Sequence, residues 1–174
     1  MIKLNRLLVA ATMFAAPVPA LAATLDLSAT DYSASSATYA FEAGTYTVSL
    51  VSDMYTAWSA RDINRNPEPW VGYYTYTANG VTTLFNPEGY ARFATQAAAL
   101  AAYSEDGPLT LTFAAPTAVT FAIADAASSF GDNAGGLSLN IAAVPEPSTW
   151  GMMALGFLGL GATLRRRSRA VVTA

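Results

Sequence analysis

The sequence predicts a mainly β protein: an antiparallel β-sandwich with one inserted helix, an N-terminal signal helix and a C-terminal single transmembrane helix. Three observations carry that expectation. Short runs rich in β-branched and aromatic residues recur through the middle of the chain, separated by turn residues. One Ala-rich stretch breaks their rhythm with helical spacing. Apolar runs with basic flanks stand at the two ends.

The N-terminal element, residues 1–22, starts with Lys3 and Arg6, continues with the apolar run LLVAATMFAA, and exits through PVPALAA. That order is the one a secretory signal peptide uses. Ala20 and Ala22 supply the small side chains a signal peptidase accepts, which places cleavage between Ala22 and Ala23. Pro17 and Pro19 argue against a buried helix there.

The middle, residues 23–143, holds roughly 120 residues, enough to bury a core. Residues 24–38 are mostly Ser, Thr and Ala, and read as a mobile lead-in or a weak edge strand. Strands are expected around Tyr39–Phe41, Thr45–Val51, Val71–Thr77, Val81–Phe85, Leu109–Phe113, Val119–Ile123 and Leu137–Ile141. Asn79-Gly80 marks a two-residue hairpin turn. Asn86, Pro87 and Glu88 look like the cap, first-turn proline and dipole-matching acid of a helix running over Tyr90–Tyr103, which Gly107-Pro108 ends.

Charge and composition narrow the function classes. The chain has no His and no Cys, which removes thiol nucleophiles, disulfides, the usual zinc ligands and an imidazole base. Between Asp26 and Asp132 eleven acids face only Arg61, Arg65 and Arg92, a local balance of −8 that disfavours nucleic acid as a partner. Glu68, Glu88, Glu105 and Asp106 could furnish a carboxylate pair for glycoside hydrolysis, but their spacing places no two of them across a cleft, so no enzyme is expected. Tyr55, Trp58, Trp70, Tyr73, Tyr74 and Tyr76 offer aromatic faces that could stack on sugar rings, although at strand spacing they more commonly fill a core. Asp125, Asp132 and Asn133 share a loop with Gly131, Gly135 and Gly136. Such a loop provides oxygen ligands for calcium, and equally the residues of a plain turn.

The C-terminal element, residues 144–169, has three parts. Val144-Pro145-Glu146-Pro147 is held extended by its prolines, Trp150–Leu164 carries no charge, and Arg165, Arg166, Arg167 and Arg169 close the run. Fifteen uncharged residues reach only about 22 Å as helix. Trp150 at one edge and the arginines at the other favour insertion with the basic end in the cytoplasm.

At these residues the chain resembles the PEP-CTERM sorting signal of exopolysaccharide-producing Gram-negative bacteria. The resemblance implies an exosortase as the enzyme that processes the tail near Pro145–Pro147, an inner-membrane anchor before processing, and the cell surface or exterior as destination. The loop from Phe121 to Leu139 is similar to the end of sandwich ectodomains that precede this tail and, more loosely, to calcium-dependent galactose-binding bacterial lectins. For those, only Asp125, Asp132 and Asn133 can be matched. The expectation is a non-enzymatic structural or adhesive protein of the exopolysaccharide layer, with a calcium-dependent carbohydrate-binding module as the alternative and a small glycosidase behind it.

Overall fold

The structure, a computed structural model, describes residues 22–145, 151 and 154–159. The expected signal segment up to Leu21, Ala20 with it, and Glu146, Pro147, Arg165, Arg166, Arg167 and Arg169 lie outside the described residues.

The described residues form ten strands: β1 (Ala23–Ser28), β2 (Ser36–Phe41), β3 (Gly44–Val51), β4 (Trp58–Ser59), β5 (Trp70–Val71), β6 (Tyr74–Ala78), β7 (Val81–Phe85), β8 (Leu109–Phe113), β9 (Thr117–Ile123) and β10 (Gly136–Ala143). Helix α1 (Gln96–Glu105) separates β7 from β8. Two four-stranded sheets result, β1-β10-β3-β8 and β2-β9-β6-β7, with β4-β5 as a small third sheet, and every pairing is antiparallel.

Period-two patterning explains which face turns inward. On β9, Val119, Phe121 and Ile123 are buried while Ala118, Thr120 and Ala122 point the other way. Val48, Leu137, Leu139 and Ile141 of the first large sheet join Phe41, Tyr74, Val119 and Phe121 of the second in one core cluster. Phe41 locks the two sheets, its ring 4.8 Å from Tyr46 and 5.1 Å from Phe113 of the facing sheet. A fully buried Phe of this kind contributes on the order of 2–3 kcal/mol.

The outer face of the β2-β9-β6-β7 sheet is lined with threonines. Thr38, Thr120, Thr77 and Thr82 fall in register across all four strands. Thr38 and Thr120 share a hydroxyl hydrogen bond of 2.8 Å, and Thr77 and Thr82 one of 2.7 Å. Cross-strand pairs of this type stabilise the sheet without needing charge.

Of the two alternatives for residues 24–38, the edge strand holds: they supply β1, at the edge of its sheet and fully paired to β10, and the start of β2, at the edge of the second, joined by a 3-10 turn at Tyr32–Ala34 capped by Asp31. Two expectations need correction. The Val71–Thr77 run is not continuous, because Gly72 lies under the Tyr103 ring, where a Cβ would stand 2.8 Å from Cγ. The helix starts at Gln96 and not at Tyr90. Gly89 (φ 60°) and Tyr90 (φ 68°) are left-handed, which stops propagation, and Thr95 caps the helix by accepting from the Ala98 N–H at 3.1 Å. Asn86 closes a turn instead, accepting from the Tyr90 N–H at 3.1 Å.

Candidate functional site

The small sheet gathers the residues of interest. Beyond Trp58↔Val71 and Ser59↔Trp70, a bridge ties Trp58 to Gly135 and another ties Trp70 to Phe93. Four chain segments therefore lie side by side at one place: the loop before β10, β4, β5 and the stretch leading to α1. Ser59 stitches the first two together, its N–H donating to Ala134 O at 2.9 Å and its hydroxyl accepting from Ala134 N–H at 2.7 Å.

Two glycines permit this approach. A Cβ on Gly135 would run into the Ala57 carbonyl, and one on Gly136 into the Leu27 carbonyl and the Tyr55 ring. Gly135 also has φ 75°. They read in the sequence as loop glycines, yet they serve close backbone contact.

Trp58 is fully buried, donates its indole N–H to the Tyr73 carbonyl at 2.9 Å and packs edge-on to the Tyr73 ring at 5.2 Å. Tyr74 is buried between Phe85 and Phe121. These rings are core, as strand spacing suggested. Trp70, Tyr55 and Tyr76 are half-buried.

Of the three residues proposed for calcium, two meet. The Asn133 side-chain amide donates to Asp125 Oδ2 at 2.6 Å, while Asp125 Oδ1 accepts from the Ala126 N–H at 2.8 Å. Asp132 is exposed in the 3-10 turn Phe130–Asp132. The pair forms a clasp closing the loop. An amide N–H aimed at a carboxylate is not two oxygens converging on a cation, so calcium would require Asn133 to turn its oxygen inward. Among the described residues no group of three or more acids is placed to hold a metal.

Glu88, Glu105 and Asp106 gather at the C-terminal end of α1, where the helix dipole disfavours negative charge. Partial burial, a hydrogen bond with Asp106, and the charges of Asp106 and Glu105 push the Glu88 carboxyl up.

One group escaped the sequence reading. Tyr90, left-handed and 59% exposed, stacks edge-on to Tyr73 at 5.4 Å. Arg92, two residues on, is half-buried with Nη1 sealed from solvent and lacking an acceptor. Burial pushes the Tyr73 phenol up, and the charge of Arg92 works against that rise. The signal available in the sequence was that only three bases stand in an acidic body.

Beyond β10 the chain enters its C-terminal element: Val144 donates its N–H to Thr45 O at 2.8 Å and Pro145 follows. Residues 143–167 match the family described as the PEP-CTERM protein-sorting motif. The chain carries a PEP-CTERM sorting domain. The PEP-CTERM motif implies exosortase-dependent export, membrane-anchored sorting, and an exosortase as processing partner. No curated protein and no solved structure matches the chain. Within the tail, Gly151 and residues 154–159 are helical, with Leu155, Phe157 and Leu158 exposed at 64, 68 and 70%. Among the described residues no helix is long and apolar enough to cross a membrane.

Proposed function

We propose that this is a non-enzymatic, surface-sorted protein whose sandwich acts as a structural or adhesive component of the exopolysaccharide layer. The observation that carries the reading is the position of the PEP-CTERM motif, which begins where β10 ends, so the strands before it are the cargo. In this reading an N-terminal signal peptide starts export, and residues 150–164 form the anchor from which an exosortase releases the body. Exposed Leu155, Phe157 and Leu158 supply side chains that lipid would cover. Cosedimentation of the mature protein with the producing cell's own polysaccharide tests the adhesive role. Retention in the polysaccharide pellet supports it, and recovery of all the protein in the supernatant contradicts it.

The calcium-dependent carbohydrate-binding reading draws on the meeting of Asp125 with Asn133. It comes second, because their present bond leaves Asp125 engaged at both oxygens.

A further inference from the structure

Six asparagines lie among the described residues, and five are shielded from a reaction that the sixth invites. Loss of a side-chain amide begins when the backbone nitrogen of the following residue attacks the asparagine Cγ. Asn66 and Asn86 precede prolines, which carry no N–H to become that nucleophile. Asn64 is held at both ends: its amide donates to Asp62 Oδ1 at 3.2 Å, and the Arg65 N–H donates to Asp62 O at 3.1 Å. Asn133 is held likewise, its amide donating to Asp125 Oδ2 at 2.6 Å and the Ala134 N–H to the Ser59 hydroxyl at 2.7 Å. Asn140 stands inside β10, paired to Thr24 on one side and Ser49 on the other, ahead of buried Ile141.

Asn79 has none of these restraints. It tops the β6–β7 hairpin, where Ala78 pairs with Val81 and the turn between them is Asn79-Gly80. Both turn residues are exposed, and neither the Asn79 amide nor the Gly80 N–H has a hydrogen-bond partner among the described residues. Gly80 puts no side chain in the way of the attack, and a Cβ built there would find nothing within 4 Å. Closing the ring requires the tight turn to open. Opening is cheap here, because β7 is an edge strand bonded to β6 alone and Val81, Thr82, Thr83 and Leu84 are all exposed.

We propose that Asn79 is a site of spontaneous modification by water, at which the hairpin converts to aspartate and isoaspartate forms. The site is independent of the adhesive role. The Gly80 nitrogen, having given its proton to hydroxide, forms a bond to Asn79 Cγ; the Cγ–Nδ2 bond breaks, and ammonia leaves with a proton taken from solvent. Water then opens the cyclic imide. Attack at Cγ gives aspartate, and attack at the Asn79 backbone carbonyl gives isoaspartate, with the main chain rerouted through Cβ and Cγ. Nothing is oxidised or reduced, and one water is consumed for each ammonia released. Aspartate still suits the turn. Isoaspartate adds a methylene to a two-residue connection, which disturbs the register of β6 with β7 and slackens Phe85 against Tyr74, whose ring centroids lie 5.1 Å apart.

Peptide mapping of the mature protein after storage in mildly alkaline buffer made with heavy-oxygen water tests the site. The peptide holding Asn79 should turn from amide to acid, carry a solvent oxygen and split into aspartate and isoaspartate forms. Peptides holding Asn64, Asn66, Asn86, Asn133 and Asn140 should stay unchanged. Asn79→Gly keeps a residue that the turn accepts, so it should fold and gain no acid in that peptide. The isoaspartate fraction, separated by ion exchange, should melt about 4 °C below the amide form, the shift a single strained turn produces in a domain of this size. Conversion of any other asparagine ahead of Asn79, or an Asn79 amide that survives after a free peptide of residues 77–83 has fully converted, overturns the site. Equal melting of the amide and isoaspartate forms overturns its effect on the hairpin.

Discussion

At the residue scale, the clearest consequences come from atoms that do not fit. The Tyr74 hydroxyl is buried with no hydrogen-bond partner. An orphaned hydroxyl of this kind costs about 1–3 kcal/mol, so Tyr74→Phe should stabilise the domain by about 1 kcal/mol, visible as a raised melting temperature. Gly136→Ala should do the reverse. Its Cβ would meet the Leu27 carbonyl and stand 2.7 Å from the Tyr55 ring, both fixed, so a loss of about 2–3 kcal/mol in denaturant unfolding is expected. Buried phenols also set an alkaline limit. Burial pushes Tyr73 and Tyr74 up, and Tyr103 from 10.0 to about 12. The folded state therefore holds these protons more tightly than the unfolded chain. Their stabilising contribution is complete below pH 10 and is lost as pH rises toward 12, so a melting curve against pH should fall through that window. Acid works through Glu88 in the opposite sense to a paired carboxylate: its raised affinity for a proton adds stability as pH falls toward its ordinary range.

At the element scale, the account turns on the Asp125–Asn133 clasp and the small sheet beside it. Millimolar calcium should leave the melting temperature unchanged, and Asn133→Ala should lower stability by about 1 kcal/mol by freeing a half-buried carboxylate oxygen. A calcium-dependent rise abolished by Asn133→Ala would favour the lectin-like reading. Much of the strand pattern was legible, because alternation of Thr and Ala with Leu, Val, Phe and Ile in β8 and β9 reports one wet and one dry face. The Asn79-Gly80 hairpin was equally plain, with Asn79 at φ 50° and Gly80 at φ 77°. What stayed hidden depends on distant partners. β1 carries no aromatic residue and becomes a strand through its register with β10, while β4 and β5 are two residues each and exist because Trp58 and Trp70 find Gly135 and Phe93. The helix start was misplaced because Asn86-Pro87-Glu88 is as good a turn as it is a cap. The left-handed Gly89 and Tyr90 decide between them.

At the scale of the whole molecule, the sandwich and its tail divide the work. The charge-poor strands form a core locked by Phe41 and Phe121, and most of the charges sit in loops. The sorting motif needed no folding to be read, because its order of prolines, apolar run and arginines is local, and residues 143–167 carry it. The most direct test follows the mass and location of the protein in its producing cell. Unaltered protein should be recovered outside the inner membrane, shortened by loss of its C-terminal segment. Pro145→Ala combined with Pro147→Ala, or removal of residues 165–169, should leave a longer, membrane-bound form. Variants that match the unaltered protein in mass and location would contradict the account.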